Sequence, residues 1–156
     1  MTDDGASAFA LVDKIINRYG GERGTLIQIL LDVQKENRWL SGESLEHIAE
    51  RLHVPLPRVY EIATFYKAFS LTERGRHLVT VCLGTACHVR GAPTLLDRIS
   101  RKLGVKSGGT SSDGRFTLLT VNCMGCCALG PVIAIDESYF SNPSNSDFDR
   151  ILGQYK

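Results

Sequence analysis

Two pairs of cysteines place the strongest constraint on how this chain can fold. Cys82 and Cys87 form a C-x4-C motif, and Cys123 and Cys127 form a C-x3-C motif. Each pair begins where a β-rich segment ends, and the stretch between the pairs is long enough for a helix and a returning strand. A compact domain with that route brings the second cysteine loop back beside the first.

Four thiolates that converge from two loops form a metal site, because soft thiolate ligands select zinc or iron–sulfur clusters. Zinc sites often use C-x2-C pairs, whereas two wider, unequal pairs suit a dinuclear cluster in which each pair holds one iron. Gly84, Gly125 and Gly130 favour a cluster, since glycine permits close backbone approach and positive φ. Cys126 is a fifth thiol that we interpret as a packing residue, although using it in place of Cys127 would create a C-x2-C pair.

Composition excludes several classes of function. Hydrophobic residues make up 43% and charged residues 22% of the chain, and the net charge is +1, so no excess of charge argues for nucleic acid. No apolar run approaches the roughly 20 residues of a membrane span, and the acidic start is unlike a signal peptide. We therefore predict a cytoplasmic protein without a membrane segment, in which the cysteines stay reduced. No nucleotide-binding glycine motif is present.

The first half of the chain predicts four short amphipathic helices. The first ends at Gly20, the second spans about 25–36, Ser44 is expected to cap the third, and the fourth begins near Pro57. Their apolar stripes are Phe9, Val12, Ile16 and Tyr19; Leu26, Ile29, Leu30 and Val33; Leu45, Ile48 and Leu52; and Val59, Ile62, Ala63 and Tyr66. Because single short helices cannot bury such stripes, residues 1–72 are expected to form a small bundle.

The second half of the chain predicts a β-α-β-β-α order over residues 73–156. The predicted strands and helices are His77–Cys82, Ala92–Leu103, Phe116–Val121, Val132–Ile135 and Asp147–Gln154, the last capped by Ser146. This order indicates an α/β or α+β layer structure of thioredoxin size.

The sequences around both cysteine pairs resemble the thioredoxin-like [2Fe–2S] ferredoxin family. The resemblance covers Val81–Gly91, Asn122–Pro131, the Ala63–Tyr66 segment and the helical first half. Members include the small subunit beside the flavin-binding subunit of respiratory complex I, and subunits of NAD(P)-linked hydrogenases and some formate dehydrogenases. Both cysteine segments look closer to the hydrogenase and formate dehydrogenase branch, since the complex I branch usually has another residue where Cys126 stands.

The resemblance implies an α+β chain whose helical bundle precedes a thioredoxin-like domain with a [2Fe–2S] cluster. It places Cys82, Cys87, Cys123 and Cys127 at the four ligand positions. The cluster would exchange single electrons with the flavin or iron–sulfur centres of a partner subunit, in an oxidoreductase complex that could be electron-bifurcating. FMN and NAD(P)H would lie on that partner, because a two-electron donor requires a flavin. The chain itself would carry no catalytic residue.

Two other functions are compatible with the residues alone. One is a free-standing ferredoxin, for which the helical bundle would be unnecessary. The other is a zinc-stabilised interaction module, with the third and fourth helices arranged as a helix-turn-helix, although the fourth lacks the outward basic side chains of a DNA reader.

Several residues are candidates for the docking face of a complex subunit. The apolar candidates beside the cysteine loops are Leu83, Met124, Leu129 and Pro131, which could equally be ordinary packing residues. Arg90, Arg98 and Arg101 are interpreted as a solvated helix face or as interface anchors.

Overall fold

The computed structural model describes residues 4–155, with side chains described from Phe9 onward. The chain divides into two compact units, Met1–Glu73 and Arg74–Lys156, which we call the N-terminal unit and the C-terminal unit. Among the described residues, no helix is both long and apolar enough to cross a membrane.

Four helices build the N-terminal unit. They are α1 (Asp4–Arg18), α2 (Leu26–Asn37), α3 (Gly42–Leu52) and α4 (Leu56–Phe65), with a short 3₁₀ turn at Arg23–Thr25 before α2. The predicted apolar stripes meet in one core, whose buried members include Val12, Ile16, Leu26, Ile29, Leu30, Val33, Leu45, Ile48, Leu52, Val59 and Ala63. The helices thus bury together the stripes that none could bury alone.

Two details of the predicted helices are wrong. Ser41, not Ser44, caps α3, because the helix begins earlier and the Ser44 N–H donates to Ser41 Oγ at 3.1 Å. Tyr66 does not complete the stripe of α4, because the helix ends at Phe65 and the backbone of Tyr66 is extended. The Tyr66 side chain is therefore 43% exposed.

A buried amide ties the chain after α4 back to α2. Gln34 Nε2 donates to the carbonyl oxygen of Ala68 at 2.7 Å. The backbone N–H of Ser70 donates to Gln34 Oε1 at 2.6 Å, and the carbonyl oxygen of Ser70 accepts from the N–H of Leu40 at 2.8 Å. The amide nitrogen and the amide oxygen of Gln34 thus both hold the segment after α4 against α2.

We expect Gln34→Leu to lower the free energy of unfolding of this unit by about 1–3 kcal/mol, because the Ser70 N–H loses its acceptor. Urea denaturation followed by the fluorescence of Trp39, the only tryptophan, measures the change. The control is Gln28→Leu on the exposed side of α2, which should alter stability by less than about 0.5 kcal/mol. Equal urea midpoints for Gln34→Leu and Gln28→Leu would contradict the stabilising role of the Gln34 hydrogen bonds.

A four-stranded mixed sheet organises the C-terminal unit. The strands are β1 (His77–Cys82), β2 (Phe116–Val121), β3 (Val132–Ile135) and β4 (Ser138–Ser141), in the order β2-β1-β3-β4. β1 is parallel to β2 and antiparallel to β3, and β3 is antiparallel to β4. The crossover between the parallel strands contains α5 (Thr85–Val89) and α6 (Ala92–Leu103), and α7 (Asn145–Leu152) closes the unit.

The register of the parallel strands decides where the two cysteine loops begin. His77 pairs with Phe116, and the pairing continues in step until Cys82 faces Val121. The N–H of Leu83 then donates to the carbonyl oxygen of Val121 at 2.7 Å. β1 and β2 therefore end at the same edge of the sheet, and their following loops start side by side.

The observed bounds of β1, β2, β3 and α6 confirm the predicted strands and the longer predicted helix. The buried core of this unit comes from these elements and from α7. Its members are Val79, Val81, Leu95, Ile99, Phe116, Leu118, Ile133, Ile135, Phe148 and Ile151. α5 and β4 were not predicted from the sequence. The predicted cap of the last helix was wrong, because the helix begins at Asn145 and is capped by Ser144 instead of Ser146.

The cap of α7 is a reciprocal pair between Ser144 and Asp147. The N–H of Asp147 donates to Ser144 Oγ at 3.2 Å, and Ser144 Oγ donates to Asp147 Oδ2 at 2.6 Å. The side-chain and backbone hydrogen bonds from Ser144 lower the pKa of the Asp147 carboxyl. Because the pKa of Asp147 is lower in the folded state, the capping interaction stabilises the fold fully at pH values above the ordinary carboxyl pKa. This stabilisation is lost as the pH falls through the lowered, folded-state pKa.

Ser144→Ala should therefore raise the pKa of Asp147 towards its ordinary value and increase amide exchange in the first turn of α7. Carbon-detected NMR titration of the Asp147 carboxyl measures the shift. Ser146→Ala is the matched control, because Ser146 Oγ contacts Ser144 Oγ at 3.0 Å and makes no hydrogen bond to the carboxylate among the described residues. A larger pKa shift in Ser146→Ala would reassign the cap.

Candidate metal centre

The fold delivers the two cysteine pairs to one edge of the sheet. Cys82 is the last residue of β1 and Cys87 lies in α5. Cys123 follows β2, and Cys127 begins a 3₁₀ turn, Cys127–Leu129, that leads into β3. Because β3 runs antiparallel to β1 and starts near its end, this turn returns to the same edge.

The sulfurs lie in two contacting pairs. Cys123 Sγ is 3.9 Å from Cys127 Sγ, and the thiols of Cys82 and Cys87 are hydrogen-bonded neighbours. Cys127 also interacts electrostatically with both cysteines of the first pair. The structure therefore brings together the four cysteines that the sequence analysis singled out.

The fifth cysteine occupies a different position. Cys126 is half-buried, and its Sγ lies 3.8 Å from the carbonyl oxygen of Met124. The sulfur in contact with Cys123 is that of Cys127. This geometry supports the C-x3-C pairing over the C-x2-C alternative.

The two pairs differ sharply in exposure. Cys82 and Cys87 are 3% and 2% exposed, whereas Cys123 and Cys127 are exposed. Leu83 and Met124 pack against the buried pair together with Ala92. The site therefore has a buried half on the first loop and a surface half on the second.

Backbone amides are directed at the sulfurs. Burial acts to raise the pKa of Cys82, but hydrogen bonds from the Gly84 N–H, the Cys87 thiol and the Met124 N–H outweigh it, so that the pKa is lowered. Burial raises the pKa of Cys87, and its hydrogen bond with Cys82 raises it further. The hydrogen bond with Cys123 raises the pKa of Cys127. Since thiolates must form on metal binding, a metal bound by these cysteines would displace protons.

Two glycines allow the loops to approach each other. A Cβ on Gly84 would lie 2.3 Å from the carbonyl oxygen of Asn122, at the start of the second loop. A Cβ on Gly130 would lie 2.9 Å from the Sγ of Cys87. Gly125 has a φ of +84° and donates its N–H to Cys123 Sγ at 3.3 Å. The three glycines thus have the roles predicted for them, close approach and positive φ.

Arg90 is a site residue whose contact the sequence analysis missed. Its Nη1 donates to the carbonyl oxygens of Cys127 at 2.9 Å and Ala128 at 3.1 Å. The side chain therefore crosses from the end of α5 to the second cysteine loop. The sequence places Arg90 three residues after Cys87, which indicates that it lies near the first cysteine pair. Its contact with the second cysteine loop becomes evident only in the folded structure.

The donor set fits a dinuclear cluster better than a single metal ion. In residues 9–155, no group of three or more His, Cys, Asp and Glu side chains is arranged to hold one ion. A structural zinc ion needs four ligands around one centre, whereas a dinuclear iron–sulfur cluster needs two thiolates on each iron. Two contacting thiol pairs, with backbone N–H groups donating to the sulfurs of Cys82 and Cys123, meet the second requirement.

Known proteins resemble this chain over nearly its whole length. A family model described as thioredoxin-like [2Fe–2S] ferredoxin matches residues 12–156. A subunit of the NADH-quinone oxidoreductase of Rickettsia typhi is 32% identical over 93% of this chain and 87% of its own length. The HndA subunit of the NADP-reducing hydrogenase of Solidesulfovibrio fructosivorans is 32% identical over 86% of this chain and 78% of its own length.

A solved structure is similar in fold. It is an NAD⁺-reducing [NiFe]-hydrogenase in the air-oxidised state, with a TM-score of 0.71 and 17% sequence identity. The match covers 84% of this chain but only 22% of that chain. The likeness therefore concerns the fold of a part of a larger polypeptide.

Gly84→Ala tests whether the close approach of the loops is needed for the site. We expect the iron and sulfide content per chain to fall, because overpacking against backbone costs about 1–3 kcal/mol or more. Gly153→Ala is the control, since a Cβ there would make only ordinary contacts of 3.4 and 3.5 Å. Full iron and sulfide in Gly84→Ala would contradict the proposed fit.

Proposed function

Because the chain belongs to the thioredoxin-like [2Fe–2S] ferredoxin family, we propose that it is the electron-transfer subunit of an NAD(P)H-linked oxidoreductase complex. The observation that carries this proposal is the meeting of two thiol pairs from two loops at one edge of the sheet. When bound, a [2Fe–2S] cluster takes up and releases one electron at a time.

We assign Cys82 and Cys87 to one iron, and Cys123 and Cys127 to the other. The contact within each pair supports this division. N–H groups that donate to thiolate sulfur favour the more negative, reduced state and so raise the reduction potential. The amides of Gly84 and Gly125 take this role on the two sides of the site.

Electrons would enter and leave through the exposed half of the site. Cys123 and Cys127 lie at the surface, and two exposed aliphatic side chains, Val89 at 81% and Leu129 at 55%, belong to the two cysteine loops. Apolar groups of this kind form the cores of protein interfaces. Among the docking candidates, Leu129 fits this role, whereas Pro131 is buried, which favours the packing alternative for that residue.

The partner subunit would supply the flavin and the nicotinamide site. A hydride donor passes two electrons together, so FMN must divide them before a one-electron carrier can take part. The helical bundle would serve in docking, with support from the exposed Phe65 and Tyr66 at the end of α4. A reducing, cytoplasmic setting suits the five free cysteines.

Relatives named for a quinone reductase and for a hydrogenase match at the same 32% identity. The cysteine-loop sequences, including Cys126, favour the hydrogenase and formate dehydrogenase type. We therefore propose a complex of that type as the setting for this subunit.

Anaerobic purification with iron, sulfide and zinc analysis tests the function. We expect about two irons and two sulfides per chain and a rhombic spin-one-half EPR signal after dithionite reduction. One zinc without sulfide and without an EPR signal would favour the zinc-stabilised interaction module.

Single Cys→Ser variants test the ligand assignment. Changes at Cys82, Cys87, Cys123 and Cys127 should lower cluster content or alter the EPR signal, whereas Cys126→Ser should leave both unchanged. A wild-type signal from Cys127→Ser, with loss of the cluster in Cys126→Ser, would exchange the two residues.

A further inference from the structure

Arg90 connects the first cysteine loop to the second. It follows α5, the helix that carries Cys87. Its Nη1 donates to two successive carbonyl oxygens of the second loop, those of Cys127 and Ala128. One guanidinium nitrogen therefore fixes the backbone of a proposed ligand from the opposite loop.

The other side of the second loop is held by the sheet. Ser141 Oγ donates to the carbonyl oxygen of Leu129 at 2.7 Å, and the N–H of Asn142 donates to the carbonyl oxygen of Pro131 at 2.7 Å. These bonds anchor the loop beyond Cys127. Arg90 anchors Cys127 itself, at the exposed half of the site.

Within the part of the chain that the structure describes, no carboxylate forms an ion pair with Arg90. Its hydrogen bonds there go to the backbone carbonyl oxygens of Cys127 and Ala128. A guanidinium remains protonated at all ordinary pH values. A full positive charge therefore stays beside the site, in addition to the partial charges of the amides.

We infer that Arg90 is a positioning residue that orients Cys127 and raises the reduction potential of the cluster; this rests on the proposed function. Reduction adds one negative charge to a cluster held by four thiolates, and a nearby positive charge stabilises that form. The hydrogen bond from Arg90 to the carbonyl oxygen of Cys127 holds the guanidinium charge beside the backbone of that proposed ligand.

The test uses the full-length, cluster-loaded chain and three variants. Arg90→Gln removes the charge but keeps an amide donor, and Arg90→Lys keeps the charge. Arg101→Gln is the control, because Arg101 is exposed on α6 and pairs with Asp97. The midpoint potential is measured by EPR-monitored redox titration, and the rate of cluster loss by the decay of visible absorbance in the presence of an iron chelator.

We expect Arg90→Gln to have a more negative midpoint potential and faster cluster loss than wild type. Arg90→Lys should restore the midpoint towards wild type, and Arg101→Gln should match wild type in both measurements. Where Arg90→Gln holds no cluster, Arg90→Lys decides: a midpoint close to wild type supports the role of the charge, and a strongly negative one overturns it.

An unchanged midpoint in Arg90→Gln, or an equal shift in Arg101→Gln, would overturn the inference while leaving the electron-transfer function in place. A wild-type chain that binds neither iron nor sulfide would instead overturn the proposed function, and this inference with it. The two failures are therefore distinguished by the metal content of the wild-type chain.

Discussion

The parallel pairing of β1 with β2 is the constraint on which the rest of the C-terminal unit depends. In-step pairing from His77 opposite Phe116 to Cys82 opposite Val121 ends both strands at one edge. A shift of one residue would reverse which face each side chain of β2 occupies and move the second loop along that edge. The tight fit between Gly84 and Asn122 would then be lost. The register of β1 against β2 therefore also determines how the two cysteine loops are placed.

Local periodicity predicted most of the secondary structure, since apolar stripes and β-branched runs express how each segment is buried. Periodicity did not predict the helix caps, because a single hydrogen bond decides which serine caps each helix. Ser41 and Ser144 cap their helices, although Ser44 and Ser146 are equally good capping residues by type. β4 was missed because it is only four residues long and mostly exposed, with Phe140 alone packing on the core, and only pairing with β3 makes it a strand.

The spacing of the cysteines predicts a metal site, and the structure brings the four residues together, whereas their surroundings could not be predicted. Which pair is buried depends on α5 and on the packing of Leu83 and Met124, and neither follows from a motif. The reach of Arg90 to Cys127 joins residues that are distant in the chain. Such a contact forms only in the completed fold. The sequence could therefore indicate Arg90 as a candidate residue but could not indicate that it binds the Cys127 carbonyl oxygen.

The difference in burial between the two cysteine pairs also bears on when a cluster could be inserted. Cys82 and Cys87 are 3% and 2% exposed, whereas Cys123 and Cys127 are exposed, so dissolved reagents reach the second pair before the first. On the proposed docking face, a partner subunit would cover the exposed pair. The cluster of the proposed complex would then have to be inserted before the partner docks.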